Sequence, residues 1–94
     1  MARKPLEWSA RSRKNIESLR DHIAADNPKA ALSVVAEIVR TAEALTEEPL
    51  IGHPGRRPGT RELVLRRYPY TLIYRVYAAR LVIVAVLHQS RKYA

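Results

Sequence analysis

ELVLRRYPYTLIYRVYAARLVIVAVLH, residues 62–88, decides the fold of this chain. Its three runs are rich in β-branched, aromatic and leucine residues, the types that favour β-strands. Tyr68-Pro69 and Ala78-Ala79 separate the runs, and both interruptions are short enough to be hairpin turns. The pattern therefore predicts a meander of three antiparallel strands, at residues 62–67, 70–77 and 80–88.

Alternate side chains of the predicted middle strand point to opposite faces of the sheet. We expect the core to pack on the more apolar face, which carries Tyr70, Leu72, Tyr74 and Val76. The other face carries a cation and hydroxyl groups, in the set Thr71, Ile73, Arg75 and Tyr77. Arg75 would need an acidic partner if it were covered. This second face is where we expect binding chemistry.

Length and composition limit the class of protein. The 94 residues are 47% hydrophobic, enough for one core, so we expect a single domain over residues 1–94. There is no cysteine, which excludes disulfides and thiolate metal sites and favours a reducing cytoplasm. Residues 1–8 lack the apolar segment of a signal peptide, and the apolar run 81–87 is too short to span a membrane.

The net charge of +8 lies entirely in the sheet half of the chain. Residues 1–48 carry eight basic and eight acidic side chains, whereas residues 49–94 carry nine basic side chains and one acid, Glu62. Such a one-sided field favours a polyanion or an acidic protein as partner. A solvated basic surface that serves solubility is the alternative.

Two amphipathic helices are predicted before the meander. Ser9 is a helix N-cap for residues 10–25, Asn27-Pro28 begins a second helix, and Glu47-Glu48-Pro49 stops it. The expected buried residues are Ile16, Leu19 and Ile23 in the first helix, and Ala31, Leu32, Val35, Ile38, Val39, Ala42 and Leu45 in the second. Leu6-Glu7-Trp8 is a short strand, at the edge or in the centre. We therefore predict an α+β fold of order β-α-α-β-β-β, with an antiparallel helical hairpin on a small antiparallel sheet.

Residues 52–61, GHPGRRPGTR, hold all three glycines and three arginines, which predicts an extended, exposed and basic loop. The loop lacks the strand-Gly-Lys-helix context of a phosphate loop. His22 has no metal-ligand partner at helical spacing and His53 lies in the loop, so we expect no metal and no cofactor.

His88, at the end of the last predicted strand, and the tyrosines of the sheet each allow two interpretations. His88 continues the alternation of Val82, Val84 and Val86, so it is either a partly buried histidine bonded to backbone or a general base. Four tyrosines of the sheet could stack bases or pack in the core, namely Tyr68, Tyr70, Tyr74 and Tyr77.

Three sequence segments, in this element order, resemble the RelE/ParE superfamily of bacterial toxins from type II toxin–antitoxin modules. They are GHPGRRPGTREL (52–63), PYTLIYRV (69–76) and VLHQSR (86–91), and the likeness extends from Trp8 to Arg91. The ending VLHQS is most similar to the ParE branch. The resemblance implies a plasmid-stabilization type of toxin that inhibits DNA gyrase by binding, has no catalytic residues, and is neutralised in a hetero-oligomer by a cognate antitoxin. The implied partner contacts are Arg56, Arg57, Arg61, Arg75, His88 and Arg91.

The RelE branch implies a different activity, ribosome-dependent endonucleolytic cleavage of messenger RNA. That reaction needs charge on the scissile phosphate and proton transfer, for which the candidates are Arg75, His88, Arg91 and Tyr93. RelE-like nucleases carry an arginine directly after the tyrosine that opens the middle strand, and Thr71 stands there in this chain. A basic nucleic-acid-binding module without toxicity is the third hypothesis.

Overall fold

The computed structural model describes residues 3–90, which form two helices and a five-stranded sheet. The elements in chain order are β1 (Leu6–Trp8), α1 (Ala10–Ala24), α2 (Pro28–Leu45), β2 (His53–Pro54), β3 (Arg61–Val64), β4 (Tyr70–Val76) and β5 (Leu81–His88). The predicted α+β fold and the meander of β3, β4 and β5 are confirmed. The strand order is β1-β5-β4-β3-β2, and β1 is an edge strand parallel to β5, so the sheet is mixed and not purely antiparallel.

Both helices begin at the predicted caps, because each signal acts within three residues of chain. The Ser9 hydroxyl oxygen accepts a hydrogen bond from the Ser12 N–H at 3.0 Å. The Asn27 side chain accepts from the Ala30 N–H at 3.1 Å, and Pro28 follows at the first helical position. α2 ends at Leu45, before Glu47-Glu48-Pro49, and the Thr46 hydroxyl donates to the Glu43 carbonyl.

The core lies between the helical hairpin and the predicted apolar face of β4. Leu72 and Tyr74 are fully buried and Tyr70 is buried, whereas Val76 is partly buried at the end of the strand. Leu19, Ile38 and Leu45 are buried as expected, and Ile16 and Val35 are partly buried against the same cluster. A continuous apolar layer therefore closes one side of the sheet.

The buried face of α2 is rotated from the predicted one. Val34 is buried although it was not expected to be, whereas Leu32 is 71% exposed and Val39 is 38% exposed. The segment offers two apolar stripes at helical spacing, and tertiary packing selects the stripe through Val34 and Ile38. The prediction that Leu32 and Val39 are buried is wrong.

The connection between β3 and β4 is longer than the predicted two-residue turn. β3 ends at Val64, and the Leu65 N–H donates to the Tyr70 carbonyl at 2.9 Å across the loop 65–69. Pro69 has no N–H to contribute to a ladder, so pairing stops earlier than the apolar pattern indicates.

The glycine- and arginine-rich segment is mostly exposed, as predicted, but it also contains a short strand and a buried glycine. β2 pairs His53 with Glu62 and Pro54 with Arg61, and Gly52 is buried. A Cβ atom on Gly52 would lie 2.6 Å from the Tyr74 hydroxyl and 2.7 Å from the Glu62 carbonyl oxygen, so the close approach requires glycine. The Tyr74 hydroxyl accepts from the Gly52 N–H at 3.0 Å and donates to the Pro49 carbonyl at 2.8 Å.

A β-bulge in β5 changes which side chains face the helices. Tyr74 pairs with Ile83 and Ile73 pairs with Ala85, so Val84 is the extra residue. The predicted alternation through Val84 to His88 is therefore wrong, because beyond the bulge Val86 packs in the helix-side core and Ala85 on the outer face. Distant residues support the bulge: the Ser9 hydroxyl donates to the Val84 carbonyl at 2.7 Å, and Asn15 accepts from the Val86 N–H at 3.0 Å.

Candidate functional site

The outer face of the sheet, opposite the helices, holds a small apolar cluster beside an open depression. Ile73, Ala85 and Leu87 are buried in the cluster, with Val84 packed against them. The depression has a volume of about 290 Å³. We call it the outer depression, and it is lined by His53, Pro54, Arg56, Glu62, Val64, Thr71, Leu87, His88 and Gln89. Its wall combines basic, acidic, polar and apolar groups.

Glu62 is the functional candidate that the sequence reasoning missed. Its residue is only 7% exposed, it pairs with Ile73 across β3 and β4, and its Oε2 accepts a hydrogen bond from the Arg56 N–H at 3.2 Å. A signal was present, since Glu62 is the single acid of residues 49–94 and lies in a predicted strand. The structure thus brings one carboxylate into the basic outer depression.

His88 lies at the end of β5 and is exposed, so the predicted partial burial is wrong. The Ser90 N–H donates to its Nδ1 at 3.1 Å, and the Ser90 hydroxyl lies 2.7 Å from the same nitrogen. Its ring contacts Tyr70 edge-on, with centroids 5.3 Å apart. His88 lines both the outer depression and a helix-side cleft beside Asn15 and His22.

Arg75 and His88 do not share a site. Arg75 pairs with Val82, whereas His88 pairs with Tyr70, five residues away along β4. At the rise of a β-strand this separates the two residues by roughly 16 Å. The Arg75 Nη1 donates to the Pro58 carbonyl at 3.3 Å, and no ion pair joins Arg75 to a carboxylate of residues 3–90. The Pro58 carbonyl thus takes the place of the acidic partner that we expected for a covered Arg75.

The remaining predicted contacts are spread over several environments. Arg61 holds the turn after α2, because its Nη2 donates to the Gly52 carbonyl at 2.6 Å and to the Leu50 carbonyl at 3.2 Å. Arg56 and Arg57 are exposed in the loop after β2, and only Arg56 lines the outer depression. Arg91 and Tyr93 lie outside the described residues.

The tyrosines serve mainly in packing. Tyr70 and Tyr74 are buried in the core, and Tyr68 packs against it, so these rings are not an open stacking surface. Tyr77 is exposed, and the Arg80 guanidinium lies over its ring, 4.7 Å from the ring centroid. Among the described side chains no three His, Asp or Glu residues converge as metal ligands, and no described helix is long and apolar enough to cross a membrane.

Sequence comparison assigns the chain to a family. The family model described as ParE toxin of type II toxin-antitoxin system, parDE, matches residues 6–93. A protein of Sinorhizobium fredii named "Putative toxin Y4kP" is 38% identical over 93 residues, which cover 99% of this chain and 96% of that protein.

Solved structures agree with this assignment. Comparison of this chain with the structure of the chromosomal ParDE system from P. aeruginosa gives a TM-score of 0.81 at 26% identity, and the match covers 90% of this chain and 95% of that chain. The RelBE2 toxin-antitoxin complex of Mycobacterium tuberculosis gives 0.63 at 27% identity, covering 93% and 99%. The E. coli RelBE complex shares the fold, with a TM-score of 0.62 at 19% identity over 96% and 100% of the two chains. The chain belongs to the ParE toxin family and is a toxin of a type II toxin–antitoxin system.

Proposed function

We propose that this toxin inhibits DNA gyrase by binding it, and that a cognate antitoxin neutralises the toxin by covering the outer depression. The observation that carries the first part is the separation of Arg75 from His88 by five strand residues. Nuclease chemistry requires its charged and proton-transferring groups to reach one phosphate, each within about 3 Å of the proton or oxygen it serves. The backbones of Arg75 and His88 stand roughly 16 Å apart along the strands, a separation that does not favour contact with one shared phosphate.

The chemistry around Thr71 supports the same proposal. Thr71 lines the outer depression at the position where RelE-like nucleases are expected to carry an arginine. A hydroxyl group offers no charge to a scissile phosphate, whereas an arginine there would hold two of its oxygens. The proposed mode of action therefore relies on a surface and not on an activated nucleophile.

The outer depression fits an antitoxin segment that carries both apolar and acidic side chains. Val64 is 42% exposed on its wall, and Leu87 belongs to the buried apolar cluster beside it. His53 and Arg56 add basic groups, which would steer an acidic partner toward the apolar surface. The P. aeruginosa ParDE and M. tuberculosis RelBE2 structures are toxin–antitoxin systems, which supports a hetero-oligomer for this chain as well.

A second function is favoured by one observation. Glu62 and His88 both line the outer depression, and a carboxylate and an imidazole are a pair that could abstract and donate protons. On this alternative the toxin is a ribosome-dependent endoribonuclease whose acid–base groups are Glu62 and His88. Gyrase and the ribosome are both cytoplasmic targets, so either function implies action in the cytoplasm.

Two parallel assays with the full chain distinguish the functions. In the first, purified gyrase supercoils a relaxed plasmid in the presence of increasing toxin, and we expect supercoiling to fall with toxin concentration. In the second, primer extension maps cuts in a messenger RNA translated in a purified system, and we expect no toxin-dependent cuts. Toxin-dependent cuts within translated codons, with supercoiling unaffected, would overturn the proposal in favour of the nuclease.

The antitoxin surface is tested by charge reversal of the exposed pair Arg56→Glu and Arg57→Glu. Partner steering by such charges acts mainly on the association rate, so we expect the affinity for the antitoxin encoded beside the toxin to fall about tenfold or more. Arg11→Glu with Arg13→Glu, exposed on α1, changes the net charge equally and is the matched control. Equal losses in both variants would show that net charge, and not this surface, controls binding.

A further inference from the structure

A second basic site lies away from the outer depression, between α2 and the loop 65–69. It is an open cleft of about 450 Å³ that we call the arginine cleft, and it is lined by Glu37, Arg40, Arg66 and Arg67. Three guanidinium groups and one carboxylate, contributed by α2 and the loop, thus line one cleft. The formal charges of these four side chains sum to about +2.

The two arginines of the loop have no polar partner in the part of the chain that the structure describes. Arg66 and Arg67 are exposed, and neither side chain makes a hydrogen bond or ion pair within residues 3–90. The single carboxylate of the cleft is already paired, since Glu37 Oε1 lies 2.5 Å from Arg40 Nη2. The cleft therefore presents positive charge that no described carboxylate neutralises.

The loop holds these arginines in place. Leu65, directly before them, is buried in the core and bonds to the Tyr70 carbonyl. After them, the Tyr70 N–H donates to the Tyr68 carbonyl at 2.8 Å, and Tyr68 packs against the core. Because both ends of the loop are anchored, the backbone that carries the two arginines loses less conformational freedom when they bind a ligand.

We propose that the arginine cleft binds the phosphate backbone of duplex DNA. Among residues 3–90, every residue that lines it is charged, and no apolar or aromatic side chain contributes. Interfaces with proteins need apolar anchors at their centre, whereas contacts to phosphates need only cations and N–H donors. The planar guanidinium group matches two phosphate oxygens at once.

The proposal stands independently of the target of the toxin. The cleft borders the helical layer through α2, whereas the outer depression lies on the opposite face of the sheet. A toxin that contacts DNA through this cleft keeps its outer depression available to a protein. Binding to DNA alone, without gyrase or antitoxin, measures the cleft separately from the proposed function.

The test measures the affinity of the full chain for a fluorescein-labelled 20-base-pair duplex by fluorescence anisotropy, over a series of NaCl concentrations. Each phosphate contact to duplex DNA contributes about 0.9 to the slope of log affinity against log salt. For Arg66→Gln with Arg67→Gln we expect this slope to fall by about 1.8, and the affinity at 0.1 M NaCl to fall roughly tenfold or more. Both substitutions are exposed, and a circular dichroism melt checks that the variant folds.

Arg11→Gln with Arg13→Gln removes the same charge from α1 and is the matched control, for which we expect a smaller change in slope. Glu37→Gln removes the one acid of the cleft, so it should tighten DNA binding more than Glu17→Gln on exposed α1 does. Equal slopes for the two arginine pairs would overturn the proposal in favour of diffuse attraction. A labelled oligoglutamate peptide is the second probe, and loss of peptide binding without loss of DNA binding would assign the cleft to an acidic protein.

Discussion

The two faces of β4 differ in what covers them. On the helix side, the hairpin of the chain itself buries Leu72 and Tyr74 completely. On the outer side, Ile73 belongs to a small cluster, and Arg75 is held by a single backbone carbonyl. Neighbouring residues of β4 therefore have different roles. One face packs in the core and stabilises the fold, whereas the other face remains open to a partner. Substitutions on the two faces should separate the loss of folding from the loss of binding.

The largest expected effect is a truncation on the helix side. Ile38 is 0% exposed, so Ile38→Ala leaves a cavity in the core and should lower the free energy of unfolding by about 2–5 kcal/mol. Leu32→Ala on the exposed stripe of the same helix should change it by less than about 0.5 kcal/mol. Urea denaturation of both variants checks the pair. Similar losses would mean that the buried face of α2 is assigned wrongly.

The next effect concerns the polar end of the same core. Tyr74→Phe removes the hydroxyl that bonds the Gly52 N–H and the Pro49 carbonyl, and leaves both groups without that partner. We expect a loss of about 1–3 kcal/mol, measured by urea denaturation. Tyr77→Phe, on an exposed tyrosine, is the control and should be nearly neutral. If Tyr74→Phe is neutral as well, the turn after α2 does not depend on this hydroxyl.

A smaller loss is expected at the cap that joins α1 to the bulge. Ser9→Ala removes the acceptor for the Ser12 N–H and the donor to the Val84 carbonyl, and should cost about 0.5–2 kcal/mol. Ser9→Asp restores the cap acceptor but cannot donate to Val84. Thermal unfolding of both variants therefore apportions the loss between the cap and the bulge, and full recovery in Ser9→Asp would assign all of it to the cap.

The elements that could be predicted are those whose signals are local. Ser9 and Asn27-Pro28 fix the helix starts because a cap acts within one turn, and the alternation of β4 identifies its core face. The bulge at Val84 could not be predicted, because Ser9 and Asn15, far away in sequence, support it. After this register shift His88 pairs with Tyr70 of the helix-side face, so it stands at the end of the sheet between the outer depression and the helix-side cleft.

The smallest expected effect is the most informative for the function of the outer depression. His88 is exposed and its ring nitrogen bonds only to Ser90 in the described part of the chain, so His88→Ala should change stability by less than about 0.5 kcal/mol. A toxin that acts by binding distributes its affinity over several contacts, so growth inhibition by the variant should be close to that of the parent chain. A nuclease that uses His88 as proton donor would lose activity by orders of magnitude.

Glu62→Gln extends the same test to the second acid–base candidate. The amide keeps the shape of the side chain and can still accept the Arg56 N–H bond, but it cannot take up a proton at neutral pH. Growth inhibition that survives both His88→Ala and Glu62→Gln would exclude a role for this pair in proton transfer. Loss of inhibition in both variants, together with loss of ribosome-dependent cuts in primer extension, would show that the outer depression is a catalytic site. The helix-side face of β4 would then serve folding, and its outer face would serve catalysis instead of partner binding.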